Sequence, residues 1–111
     1  MGFVNESEFV TKMKHLRAGT RLNSRVPVGV AWSENGALRK AHGYTVDISP
    51  KGCMVVVEQG FAVGQKMQLT NLVNGRSTEA TLVWRGHEGR TGWELGLELN
   101  GVEMEFWEVE F

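Results

Sequence analysis

A chain of 111 residues makes one domain, long enough to bury a core without disulfides or a structural metal. Hydrophobic content of 41% and charged content of 23% are those of a soluble globular protein, and a net charge of −1 excludes overall attraction for a nucleic-acid polymer. The single cysteine, Cys53, excludes an internal disulfide. Within Cys53-Met54-Val55-Val56-Val57 it reads as a small buried hydrophobe in a reducing compartment.

No apolar run approaches the length of a membrane span, and residues 1–20 lack the apolar segment of a signal peptide. The expectation is a cytoplasmic protein with no membrane partner. Charge is unevenly placed: Lys12, Lys14, Arg17, Arg21 and Arg25 occur with no acid among them. A patch of that size suits a small anion.

In chain order, residues 6–17 predict a short helix. Asn5 and Glu8 resemble a capping box, Phe9, Met13 and Leu16 share a face, and Gly19 is placed to end it. Residues 1–20 form an N-terminal arm on this reading, and residues 21–111 a single β-barrel domain. Arg21 to Arg25 has no apolar periodicity, which predicts an extended polar lead into the first strand.

From Val26 the period becomes two, through Val28, Val30 and Trp32, and Asn35-Gly36 is a strong hairpin signal. The second strand runs from about Arg39 to Ile48. A two-residue turn at Asn35-Gly36 pairs Asp47 with Ser24 and Arg25 with Val46, unless a bulge at Gly29 or Gly43 shifts the register.

A third strand spans Gly52 to Glu58 and is apolar enough to be buried on both faces. A loop from Gly60 to Gly64 leads to a fourth, about Gln65 to Leu72. Asn74-Gly75 turns into a fifth, about Thr78 to Arg85, with Ala80, Leu82 and Trp84 on one face. Trp93, Leu95, Leu97 and Leu99 alternate along a sixth. Six short strands predict an all-β, antiparallel barrel or sandwich. Val102 to Phe111 fits both periods and is assigned as a short helix plugging the barrel.

Chemistry concentrates in Thr45-Val-Asp-Ile-Ser-Pro-Lys-Gly52, which holds the only aspartate of the chain and one of its two prolines. Asp47 and Ser49 at i, i+2 share one side of a strand end, and Gly52 follows where backbone bends or something approaches closely. The plainer alternative is a strand-to-turn junction whose side chains bond their own backbone.

Taken with Arg21-Leu-Asn-Ser-Arg25 and the following Val26-Pro27-Val28, the segment Asp47-Ile-Ser49-Pro-Lys-Gly52 resembles the PilZ domain family. That family carries an R-x-x-x-R segment before its first strand and a [D/N]-x-S-x-x-G motif between its second and third. The resemblance covers roughly residues 17–111, including Leu82-Val83-Trp84 and Glu94-Leu95-Gly96-Leu97-Glu98-Leu99. It implies a six-stranded antiparallel β-barrel, to which the residue patterns above add short helical segments at both ends, acting as a bacterial cytoplasmic receptor for cyclic di-GMP. By position, Arg21, Arg25, Asp47, Ser49 and Gly52 would bind the ligand, with Arg17 and Trp84 as secondary candidates. Arg17-Ala-Gly-Thr-Arg21 also fits the arginine pattern, so either pair is open. Thr20 and Arg21 stand where many members carry an arginine doublet, which implies weaker affinity. A protein effector reading the liganded surface is the implied partner, with no other cofactor and no metal. A PilZ-like adaptor that binds only proteins is the alternative.

Catalysis is disfavoured. His15, His42 and His87 fall in unrelated segments without metal-ligand spacing, and no P-loop, nucleophile elbow or H-E-x-x-H is present. No residue is assigned a catalytic role. A barrel for single-stranded nucleic acid would need aromatics on a basic face, which this composition does not offer.

Overall fold

The computed structural model describes residues 21–101, 105–109 and 111, and no helix occurs among them. Seven strands follow in order: β1 (Leu22–Asn23), β2 (Pro27–Glu34), β3 (Ala37–Ser49), β4 (Gly52–Val57), β5 (Lys66–Asn71), β6 (Ser77–Glu88) and β7 (Trp93–Leu99). Strands β2-β5-β6-β7-β4-β3 pair antiparallel in that order and β3 returns to β2, closing a six-stranded barrel. The two-residue β1 continues along the β3 edge beyond the start of β2. The expected barrel is therefore present, and closure removes the open edges that a sheet of this size would otherwise expose.

The Asn35-Gly36 turn forms as its chemistry requires. Both residues have positive φ, 53° and 80°, matching the right-handed twist of the ribbon. Pairing is regular from Glu34↔Ala37 to Pro27↔Tyr44, past both Gly29 and Gly43. Inward-facing Val28, Ile48, Val55, Leu69, Leu82 and Leu95 are fully buried and form the barrel core. Strand β4 is buried at all six positions, as its unbroken apolar run predicts.

Aromatic side chains fill both mouths. Trp32 and Phe61 meet edge to face at 4.7 Å at the hairpin end. Phe106 and Trp107, also edge to face at 4.7 Å, fill the end that holds Asn71 and Ser49. The expected C-terminal plug is thus present, but residues 105–108 form turns. The physical reason is visible at Phe106, whose carbonyl accepts from Asn71 Nδ2 at 2.9 Å and Asn74 Nδ2 at 3.2 Å, and at Glu108, whose φ is +57°. The helix expected over residues 6–17 lies outside the described residues.

Trp84 departs from the expected pattern. Register shifts between Leu82 and Trp84, so Leu82 pairs with Leu97 and Trp84 with Gly96, leaving Val83 as an extra residue. Trp84 consequently lies on the outer surface, 43% exposed, and does not share the inward face of Ala80 and Leu82.

Gly43 is required by close strand packing. A Cβ there would stand 2.1 Å from the Val56 carbonyl oxygen and 2.5 Å from Val57 Cγ1. Because backbone cannot yield as a side-chain tip can, Gly43→Ala should lower unfolding free energy by about 2 kcal/mol. Urea denaturation measures it, and a loss below about 0.5 kcal/mol would show that β3 and β4 separate at little cost.

Candidate functional site

The candidate site is built where β3 ends. Ser49-Pro50-Lys51-Gly52 turns the chain from β3 into β4, and the Ser49 hydroxyl organises the turn from within. Its Oγ accepts from Gly52 N at 3.1 Å and Lys51 N at 3.3 Å. The Lys51 carbonyl accepts from Leu99 N at 2.7 Å, tying the turn to the end of β7. Ser49 is buried, so its hydroxyl serves the turn in the free chain. Gly52 also has a structural reason for lacking a side chain, since a Cβ would stand 2.2 Å from the Leu97 carbonyl oxygen. Nearby β7 backbone fills the space that the sequence reading left open for a ligand.

Upstream of that turn, the register slips. Thr45 N donates to Val26 O, whereas Ser24 N donates to Val46 O, so one residue more than the regular ladder needs lies between the two bonds. Asn23 therefore faces Asp47, where unbroken counting places Ser24. The Thr45 hydroxyl closes the irregularity: it donates to the Ser24 carbonyl and accepts from Val26 N at 2.8 Å. On its other edge β3 carries a second bulge, pairing Thr45 with Val55 and Asp47 with Met54. Val46 is the extra residue there, and it is exposed.

These slips sort the two arginines. In an extended chain, residues four apart point the same way and stand about 13 Å apart. Arg21 reaches Asp47, Nη2 to Oδ2 at 3.6 Å, and both side chains are buried at 5% and 7% exposure. Arg25 instead lies over the ring of Tyr44, 3.9 Å from its centroid, and is exposed. Unbroken counting through the hairpin sets Arg25 opposite Val46, within a residue of Asp47; with the extra residue in the arm it is Arg21 that reaches the carboxylate. Arg17 lies outside the described residues.

Between the arginine positions runs a strip of outer barrel surface. Asp47 pairs with Met54, Met54 with Gly96, and Gly96 with Trp84, while Tyr44 pairs with Val56. Paired residues share a face. Met54 and Val56, both buried, lie on the outer side of β4 beneath this strip, with Arg25 and Tyr44 at one end and Arg21 and Asp47 at the other. Trp84 lies across the far side, where Cβ atoms on Gly96 and Gly86 would stand 3.2 Å and 2.6 Å from its atoms. Tyr44 and Met54 were missed from sequence. Tyr44 carried no signal in its periodicity, because only the bulge between Thr45 and Asp47 turns residue 44 to the same side as residue 47; Met54 looked like core.

Electrostatics at the site follow burial. Removal from water raises the Asp47 carboxyl above its ordinary value, and the Arg21 guanidinium offsets this only in part. Cys53 faces the core from β4, and burial, with the nearby Asp47 charge, pushes its thiol far up. A thiol held protonated in this way is inert. Among the described residues, no group of three or more His, Cys, Asp or Glu is placed to hold a metal ion. No helix among them is long and apolar enough to cross a membrane.

Among curated proteins, none matches the chain. A family model described as the PilZ domain matches residues 16–108. That match spans most of the chain, takes in the arginine segment and the Asp47–Gly52 turn, and ends beyond β7 in the C-terminal turns; the chain belongs to the PilZ domain family.

Proposed function

We propose that this chain is a non-catalytic receptor for cyclic di-GMP, bound on the outer strip beside β3, and that a protein effector reads the surface the ligand creates. The observation that supports this reading is that Arg21 with Asp47, and Arg25 with Tyr44, stand at the two ends of one outer face whose apolar residues are Met54 and Val56. Cyclic di-GMP offers two phosphodiester charges and two guanines. Guanidinium forks to guanine O6 and N7, stacks on the ring, or grips a phosphate. Asp47 accepts from the guanine N1 and N2 donors, which adenine does not present in that arrangement. Trp84 supplies a flat apolar face at the far side of the strip, and base stacking of this kind contributes about 1 to 3 kcal/mol.

Arg25 is the group most easily redirected. Its contact with Tyr44 is exposed, and an exposed cation–π contact stabilises by only about 0.5 to 1 kcal/mol. Arg21 must leave or share Asp47 for the carboxylate to meet a base. Because Leu22 and Asn23 already ladder onto β3, closure of the arginine segment tightens an existing attachment, with Arg25 swinging from Tyr44 onto the ligand.

One observation favours the alternative, a PilZ-fold adaptor that binds only proteins: Arg21, Asp47 and Ser49 all have internal contacts in the free chain. Calorimetric titration with cyclic di-GMP separates the two readings. Saturable heat that cyclic di-AMP does not reproduce supports the receptor, and no heat at millimolar ligand leaves the adaptor.

The two arginines should respond differently to truncation. Arg25→Ala should weaken binding about tenfold or more while leaving the free protein's melting temperature nearly unchanged. Arg21→Ala should remove binding and also destabilise the free chain by about 3 kcal/mol, because it strands a buried carboxylate. Equal thermal effects from both substitutions would contradict the division of roles.

The raised Asp47 carboxyl gives opposite pH trends for stability and binding. Its folded-state value lies above the unfolded one, so its contribution to stability is fully present below the ordinary value of 3.8 and is lost as pH rises through the folded value. Ligand needs the carboxylate, so affinity should rise over that same interval and then level off. Asp47→Asn should flatten both profiles above the ordinary carboxyl value of 3.8, as read by thermal melts and titrations. A wild-type affinity independent of pH would mean that Asp47 does not accept from the ligand.

A further inference from the structure

The turn that carries Ser49 and Gly52 is held from a direction the motif does not predict. Trp107 is buried, and its indole Nε1 donates to the Ser49 carbonyl at 3.0 Å, across 58 residues of sequence. The segment around Trp107 is itself fixed at its other side. Asn71, almost fully buried, gives Nδ2 to the Phe106 carbonyl and takes Val73 N on Oδ1, each at 2.9 Å. Asn74 adds a second amide to the same carbonyl, and Arg76 pairs with Glu105 at 3.6 Å and Glu108 at 3.5 Å. Residues 105–108 thus bridge the β5–β6 hairpin and the Asp47–Gly52 turn.

We infer that Trp107 is a positioning residue for the ligand site: its indole N–H holds the Ser49 turn in the conformation that receives the ligand. This rests on the receptor reading above. Ser49 is buried, its hydroxyl takes Lys51 N and Gly52 N, and its backbone pairs with Gly52 at the end of the β3–β4 ladder. Trp107 supplies the indole donor to its carbonyl from outside the turn. Without that donor a buried carbonyl loses a partner, and the turn gains a reason to rotate its peptide toward water. A turn free to rotate must be reordered when ligand arrives, which weakens binding without removing any ligand contact. Coupling is reciprocal, so a ligand that prefers the ordered turn also strengthens the Trp107 bond and the seating of residues 105–108.

Trp107→Phe keeps an aromatic ring against Phe106 and removes the donor. In calorimetric titrations with cyclic di-GMP, the variant should bind about tenfold more weakly, with Arg21, Arg25 and Asp47 untouched. A second readout uses the wild-type chain, so it stands even where the variant folds poorly. In nitrogen–proton spectra, the Trp107 indole resonance should shift and its proton should exchange more slowly on saturation with cyclic di-GMP. The Trp32 indole, beside Glu34 at the opposite mouth, should stay in place. Unchanged affinity in Trp107→Phe, or an indole resonance that ligand does not move, overturns the inference while leaving the receptor reading intact. Absence of binding by the wild-type chain overturns the receptor reading, and this inference with it.

Discussion

Placement of the charged groups at the site depends on a mismatch of one residue on each edge of β3. On the β1–β2 side the chain has one residue too many between Asn23 and Pro27, and the Thr45 hydroxyl holds the distortion by bonding both Ser24 and Val26. On the β4 side, Val46 is the surplus residue. Without these slips, strict alternation would carry β3 straight from Tyr44 to Ser49, and Tyr44 and Asp47, three apart, would point to opposite faces. With them, both face outward, and the two arginines of the arm find separate partners. A bulge here re-aims side chains, as bulges at sheet margins do.

The resulting charge arrangement is asymmetric, and the asymmetry has consequences for energy. Arg21 and Asp47 are nearly removed from water, so their attraction is offset by desolvation, and the upward shift of the Asp47 carboxyl records that desolvation is the larger effect. Arg25 and Tyr44 are held by a contact that solvent screens. One guanidinium therefore belongs to the fold of the free chain and the other is available at low cost. On the receptor reading, the carboxylate is already in place, at the expense of stability, and one cation is held only by an exposed contact.

Much of the architecture was legible because the hydrophobic period and the turn chemistry agree. Asn35-Gly36 fixed the first hairpin, and the unbroken run after Gly52 correctly indicated a strand covered on both sides. Counting failed where a polar side chain, Thr45, competes with the backbone ladder, and where Val83 inserts into β6 and turns Trp84 outward. Neither event leaves a pattern in periodicity, since bulges are stabilised by contacts far apart in sequence. Gly52 has a structural reason beside the functional one: a glycine next to a candidate site looks like room for a ligand, and on the side a Cβ would occupy stands the Leu97 carbonyl. Ser49 likewise met the plainer expectation in the free chain, with its hydroxyl bonded to its own turn.

A closed barrel constrains how any ligand on its outside is reported to a partner. Six strands hydrogen-bonded on both edges have no free edge to shift, and a packed core resists small deformation. Among the described residues, two segments outside that ring reach the end of β3: β1, along its far end, and the C-terminal turns seated by Asn71, Asn74 and Trp107. Both converge on the last few residues of β3, β1 at Asp47 and Ile48 and Trp107 at Ser49. On the receptor reading, the response to cyclic di-GMP is then a change in how two short segments grip one strand end, with the barrel as the fixed frame against which that change is felt.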